Sequence, residues 1–172
     1  MCVIIFKPKG VAMPSNDIIN ACARANRDGF GFCTPNKFYK STSFKKFKSE
    51  LKAVEKDEPC IMHFRLATHG RVSKTNCHPF KQGDVYFAHN GVLSITPYAG
   101  RTDSETAFLK YIYPAIQKGG LHSSETDTAV YETIESSRFA IMQGEDVRLF
   151  GEFLQNEGCF YSNFRFVHYL YR

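Results

Sequence analysis

No stretch of this 172-residue chain approaches the roughly 18 consecutive apolar residues of a membrane-spanning helix. A secretory leader is missing too, because the apolar run at residues 3–6 is too short for its core and is broken by Lys7, Pro8 and Lys9. Both absences point to the cytoplasm, where thiols stay reduced. The six cysteines, at 2, 22, 33, 60, 77 and 159, include no Cys-x-x-Cys pair and read as free thiols. Repeats, low-complexity tracts and linkers are absent as well, so residues 1–172 read as a single domain. That length buries about two-thirds of the unfolded surface.

What is present is ordinary for a globular protein: 43% hydrophobic and 23% charged residues. The net charge of +5 raises the question of nucleic acid. Much of the excess lies in "FYKSTSFKKFKSELKAVEK", where Phe44, Phe47, Leu51 and Val54 recur at helical spacing and lysines fill the other faces. That is a solvated amphipathic helix. No nucleic-acid-binding motif accompanies it, and nucleic acid is not an expected partner.

The spacing predicts short elements. Residues 3–6 form a strand, and a helix capped by Ser15 runs to about Asn26. "GFGFCTPNKFYKS" is a hairpin turning at Pro35 and Asn36, followed by the lysine-rich helix. Strands are expected at 60–66 and 85–89, helices near 103–118 and 126–137, then two or three antiparallel strands. The last turns fall at 144–146 and 156–158. Strands on both sides of a run of helices indicate an α+β fold with antiparallel sheet.

Three segments carry chemistry. In "CIMHFRLATHG", alternation puts Cys60, Met62, Phe64 and Leu66 on one strand face, and Ile61, His63 and Arg65 on the other. A guanidinium on an apolar strand needs an anionic partner, from the protein or from a ligand. In "YFAHNGVLSI", Asn90-Gly91 is the standard signal of a type I′ hairpin. The same pair can also aim a side-chain amide and a backbone N–H at one point, as an oxyanion hole requires. In "RTDSETAFLKYIYPAIQKGG", Thr102 and Glu105 make a capping box and Asp103 sits in the first turn. That carboxylate either complements the helix dipole or holds a substrate ammonium.

Cys2 poses the sharpest question. It is either a small buried hydrophobe or, once an aminopeptidase removes Met1, a thiol sharing one residue with a free α-amine. Cys2, "HFRLATHG", "NCHPF", "AHNGVL" and "TDSE" occur in that order and together resemble the class II glutamine amidotransferase domain of the N-terminal-nucleophile hydrolases. "NRDGFGF" and "GCFYSNFRF" are similar to segments of small members of that family. The resemblance runs from residue 2 to about 166.

That resemblance implies a four-layer αββα sandwich of two antiparallel sheets with flanking helices. It implies that Cys2 is the nucleophile, that Arg65 binds the glutamine α-carboxylate and that Asp103 binds its α-ammonium. Asn90 and Gly91 would form the oxyanion hole, and Thr68 and His69 would shape the pocket. Asp127, in "SSETDTAV", also fits the ammonium role. The expected reaction forms a glutamyl thioester on Cys2, releases ammonia and hydrolyses the thioester. No cofactor is expected. The chain carries no synthase domain by this reading, so a separate synthase is the expected partner. The alternatives are a free-standing hydrolase of another small amide and a glutamine-binding module without catalysis. A metal reading rests on Cys60, His63, Cys77 and His78. It fails on spacing and on strand alternation, which sends Cys60 and His63 to opposite faces, so no metal is expected.

Overall fold

The computed structural model of the chain describes residues 1–67 and 71–171. Among these residues six strands form one antiparallel sheet: β1 (Val3–Lys7), β2 (Gly29–Cys33), β3 (Phe38–Ser41), β4 (Cys60–Arg65), β9 (Leu154–Asn156) and β10 (Cys159–Tyr161). Their order is β3-β2-β4-β1-β10-β9, with β1 held between β4 and β10. A second antiparallel sheet has the order β5-β6-β7-β8, from β5 (Phe80–Gln82), β6 (Val85–Asn90), β7 (Arg138–Gln143) and β8 (Asp146–Phe150).

Strand alternation sorts the side chains into three apolar layers. Val3, Ile5, Cys60, Met62 and Phe64 face outward and pack under helices α1 (Asn16–Ala25) and α2 (Phe44–Leu51). Ile4, Cys33 and Ile61 face inward and meet Tyr86, Ala88, Ala140 and Met142 of the second sheet. Phe87, Phe139 and Ile141 pack on the far side against α3 (Asp103–Ala107), α4 (Tyr113–Gly119) and α5 (Ser124–Ile134). The result is helix, sheet, sheet, helix: the four-layer αββα arrangement. Each fully buried Ile or Phe in these layers contributes roughly 1.5–3 kcal/mol relative to leaving it in water.

Local signals account for most element ends. Ser15 accepts a hydrogen bond from Ile18 N, and Ser43 and Ser123 cap α2 and α5 in the same way. Val54 lies beyond α2 and still packs against the core under it. The helix expected across 103–118 contains a widened π turn at Phe108–Ile112. Pro114 follows directly; it has no N–H to give the carbonyl one turn back and its ring crowds that carbonyl. α5 ends at Ile134 rather than near 137, because Glu135 takes a left-handed conformation with φ 49°. The C-terminal part contains four strands where two or three were expected. β5 was not anticipated; it pairs with β6 across Gly83-Asp84, where Gly83 supplies the positive φ of 58° that tight hairpins need.

The hairpin reading of Asn90-Gly91 does not hold. Asn90 is the last residue of β6 and pairs with Arg138 of β7, which returns only after three helical segments. The dipeptide is therefore an exit from the sheet, not a reversal of the chain.

Candidate active site

Cys2 lies immediately before β1, between the ends of the neighbouring strands. Its thiol donates to Leu66 O at 3.6 Å, just past the end of β4. Asn163 Nδ2 donates to Cys2 O at 2.9 Å from the segment after β10. Burial pushes the thiol pKa above its ordinary value, while the Leu66 contact, the N-terminal ammonium and Arg65 pull it partly back.

Arg65 ends β4 and is only 4% exposed. Its Nη1 donates to Arg71 O at 3.2 Å. Asp28 fixes the backbone around it: Asp28 N donates to Arg65 O at 2.9 Å, and Asp28 Oδ2 accepts from Ala67 N at 2.8 Å. The tight exit of β4 thus comes from one acidic residue ahead of β2.

On the facing sheet, Gly91 leaves β6 with φ 149°, and a Cβ there would collide with Ser137 Oγ. Only glycine fits. Asn90 is buried, with Nδ2 placed 2.9 Å from Ser162 Oγ and Oδ1 without a partner.

Asp103 opens α3 behind the Thr102 cap, whose Oγ1 accepts from Glu105 N at 3.1 Å. The Asp103 carboxylate accepts from Leu93 N at 3.1 Å and from Ser104 Oγ at 3.2 Å. A carboxylate only accepts, so Ser104 O–H donates to it, and Ser104 Oγ in turn accepts from His89 Nδ1 at 2.7 Å. Asp127 lies elsewhere. It is on α5, where it pairs with Arg148 at 2.7 Å.

A small cavity of about 40 Å³ gathers these elements. Cys2, Arg65, Gly91 and Asp103 line it, from four segments widely separated in sequence, together with Asn76, His78, His89 and Ser104. Asn90, buried next to Gly91, is not among the residues that line it, and neither is Asp127. Thr68 and His69 lie outside the described residues. A second, wider cleft of about 710 Å³ shares Asn76, Val92, Thr102 and Asp103 with the cavity and continues along Leu93, Ile95 and Pro97.

Three buried histidines back the cavity. His63 and His78 stack with ring centroids 4.3 Å apart, and His63 Nε2 contacts His89 O at 3.0 Å. Burial holds His63 down to about 3 and His89 down to about 4, the latter against the pull of Asp103 and Glu135. His78 is lowered by burial and by both neighbouring rings. All three are neutral at pH 7. Cys60 faces the opposite side of β4 from His63, as alternation requires, and among the described residues no cluster of three His, Cys, Asp or Glu side chains could hold a metal ion.

The sequence profile described as "Glutamine amidotransferases class-II" matches residues 38–142, more than half of the chain. The chain belongs to the class II glutamine amidotransferases. Over 70 residues it is 36% identical to glutamine–fructose-6-phosphate aminotransferase (isomerizing) of Buchnera aphidicola, a match covering 41% of this chain and 10% of the relative. It is 32% identical to the probable glutamine amidotransferase DUG3 of Saccharomyces cerevisiae, over 37% of this chain and 23% of the relative. The chain thus spans a tenth to a quarter of the length of these curated relatives. Among solved structures, glutamine PRPP amidotransferase from B. subtilis superposes with a TM-score of 0.60 at 14% identity, covering 94% of this chain and 41% of the other. A structure titled as the allosteric regulatory enzyme of purine biosynthesis gives 0.61 at 16% identity, over 99% of this chain and 43% of the other. Those likenesses establish the fold, which this chain shares with both structures.

Within this amidotransferase, several residues beside the cavity carried no catalytic or substrate-binding role in the sequence reading. His78 and His89 fall inside "NCHPF" and "AHNGVL", and Asp28 inside "NRDGFGF", so the motifs held them without saying why. Ser104 follows Asp103 directly. Ser162 and Asn163 fall inside "GCFYSNFRF", but their contacts with Ile4 and Cys2 lie about 160 residues away in sequence, so that segment gave them no role.

Proposed function

We propose that this class II glutamine amidotransferase releases ammonia from glutamine through a glutamyl thioester on Cys2, after removal of Met1. The observation that carries the reading is the shared cavity: a thiol, a guanidinium, a carboxylate and a glycine backbone converge from four segments. Glutamine offers a complement to each. Arg65 takes its α-carboxylate and Asp103 its α-ammonium, each pairing a buried or half-buried charge with its opposite. Asp103 is preferred to Asp127 because it lines the cavity, whereas Asp127 is occupied by Arg148.

With Met1 gone, the Cys2 amine is a base of ordinary pKa near 8, beside a thiol that burial keeps protonated. The amine takes the thiol proton, through a water, as sulfur attacks the side-chain amide carbon. Negative charge develops on the amide oxygen, where Gly91 N–H and the Asn90 amide stabilise it. The C–N bond then breaks, the amine returns its proton to the departing ammonia, and water hydrolyses the thioester to glutamate. While Met1 remains, the Cys2 nitrogen is an amide and cannot act as the base.

Intact mass spectrometry of the purified protein, before and after a glutamine-analogue electrophile, tests this reading. The expected result is loss of Met1 and one adduct on Cys2, blocked by excess glutamine. An adduct on another cysteine, or turnover by protein that retains Met1, overturns it.

Residues 1–172 act in this reading as one amidotransferase domain whose ammonia passes to a separate synthase. The wide cleft beside the cavity supports that partner: Val92, which lines it, is 57% exposed. Slow glutaminase activity alone that rises on adding the synthase is the expected result. Full activity in isolation favours a free-standing hydrolase instead.

A further inference from the structure

The segment just after β10 touches both halves of the proposed site. Ser162 Oγ accepts from Ile4 N at 2.9 Å, in the nucleophile's own strand, and lies 2.9 Å from the Asn90 side-chain amide on the facing sheet. Its neighbour Asn163 donates to Cys2 O and accepts from Arg165 N at 3.1 Å. Ser162 is 3% exposed and lies outside the residues that match the family profile.

Hydrogen-bond accounting shows what the serine does. With Asn90 Nδ2 turned toward Ser162, the serine oxygen accepts from two N–H groups and Asn90 Oδ1 is left buried without a partner. An orphaned buried carbonyl oxygen gives up its bonds to water and gains none in return. The two ends of a carboxamide have the same shape, and only the bonding network tells them apart. With the amide reversed, Ser162 O–H donates to Asn90 Oδ1 while its oxygen still accepts from Ile4 N. No acceptor is then orphaned. The amide N–H₂ then takes the buried position that Oδ1 held, where no described residue offers an acceptor, and is left for a ligand oxygen.

We infer that Ser162 is a positioning residue, whose hydroxyl fixes the Asn90 carboxamide with its N–H₂ available to the developing oxyanion and ties that amide to the Cys2 strand. The inference rests on the proposed roles of Cys2 and Asn90. Without the hydroxyl, the amide has no reason to prefer the productive orientation, and the donor is lost for part of the time. The defect appears in the chemical step and spares substrate affinity, because Arg65 and Asp103 bind the far end of glutamine.

The test is a double-mutant cycle on the Met1-free protein, reading kcat, KM and thermal melting. Removing an oxyanion donor outright costs about 10²–10³-fold in kcat, so weakening its orientation in Ser162→Ala is expected to cost about 10- to 100-fold with KM within about threefold. In an Asn90→Ala background the same Ser162→Ala change is expected to cost less than about twofold, because the group it acts through is gone. Equal losses in both backgrounds, or no loss in either, overturn the inference. Ser162→Thr and Ser162→Val share one shape and differ in the hydroxyl, which guards against a folding defect in the alanine variant. Threonine is expected to exceed valine about tenfold or more in kcat, and equal rates overturn the inference. If Asn90→Ala itself turns over normally, the reading of the site fails. If it is inactive while Ser162→Ala is not, only the role of Ser162 falls.

Discussion

The space between the two sheets is built in two contrasting halves. One half is hydrocarbon: Ile4, Cys33, Ile61, Ala88, Ala140 and Met142 fill it with buried apolar side chains. The other half is polar, with His63, Arg65, His78, His89, Asn90, Ser104 and Ser162 all buried around the cavity. β4 crosses both, and its inward face changes from Ile61 to His63 to Arg65 in three alternate positions. The apolar half holds the sheets together without any demand for partners. The polar half contains ring nitrogens of all three histidines, and Asn90 Oδ1, with no hydrogen-bond partner among the described residues. Each such group is a cost of order 1–3 kcal/mol that a well-packed leucine would not incur. Stability therefore resides in one half of the layer, and chemistry in the other.

The contrast is broken most completely by Cys2→Ala. It removes only the proposed nucleophile, and is expected to lower glutaminase kcat by about 10³-fold or more while leaving the melting temperature nearly unchanged. Cys22→Ala, Cys60→Ala and Cys77→Ala should keep turnover, apart from what their packing costs.

Acid comes next and acts on the polar half alone. His63 and His89 have native pKa values lowered to about 3 and about 4 by burial, so they stay neutral in the fold while the unfolded chain takes up protons below about 6.5. Stability is fully present above that unfolded value and is lost as pH falls toward the folded values. Linkage gives a loss of about 2 kcal/mol for each of the two at pH 5. Chemical denaturation at pH 7 and pH 5 measures it, and His63→Gln should flatten the dependence.

In the apolar half, Ile61→Ala should destabilise by roughly 2–5 kcal/mol with no pH dependence and little change in KM. Two helix-opening carboxylates give the smaller effects. Asp103→Asn is expected to raise the KM for glutamine about tenfold or more, as loss of a charged hydrogen bond implies. Asp127→Asn should leave KM unaltered and cost less than about 1 kcal/mol in stability, since its ion pair with Arg148 is half exposed.

The outer and inner faces of the strands were legible because alternation and helical spacing are local. Ser15 and Thr102 announced their helices, and the Pro35-Asn36 turn announced its hairpin. The order of the motifs pointed to the family, and nearly everything that needed long-range information was hidden. Asn90-Gly91 carries the strongest short hairpin signal in the chain, yet the sheet uses it as an exit, because tertiary pairing with β7 overrides the turn preference. Asp103 and Asp127 sit in similar capped first turns, and only the packing of their helices tells them apart. β5 is three residues long, too short for periodicity to register.

The placement of Ser162 has a consequence for the timing of synthesis. The ribosome delivers β1 about 155 residues ahead of its neighbour β10 and the Ser162-Asn163 pair. Pairings of such long sequence separation form late, because the loop they close must be ordered first. The thiol therefore waits, unheld by Asn163, while the intervening chain is made. Ribosome-stalled chains of graded length are expected to accept the glutamine-analogue electrophile at Cys2 only once residue 163 has left the exit tunnel. Labelling of shorter chains would mean that the nucleophile is organised without its last-made neighbours.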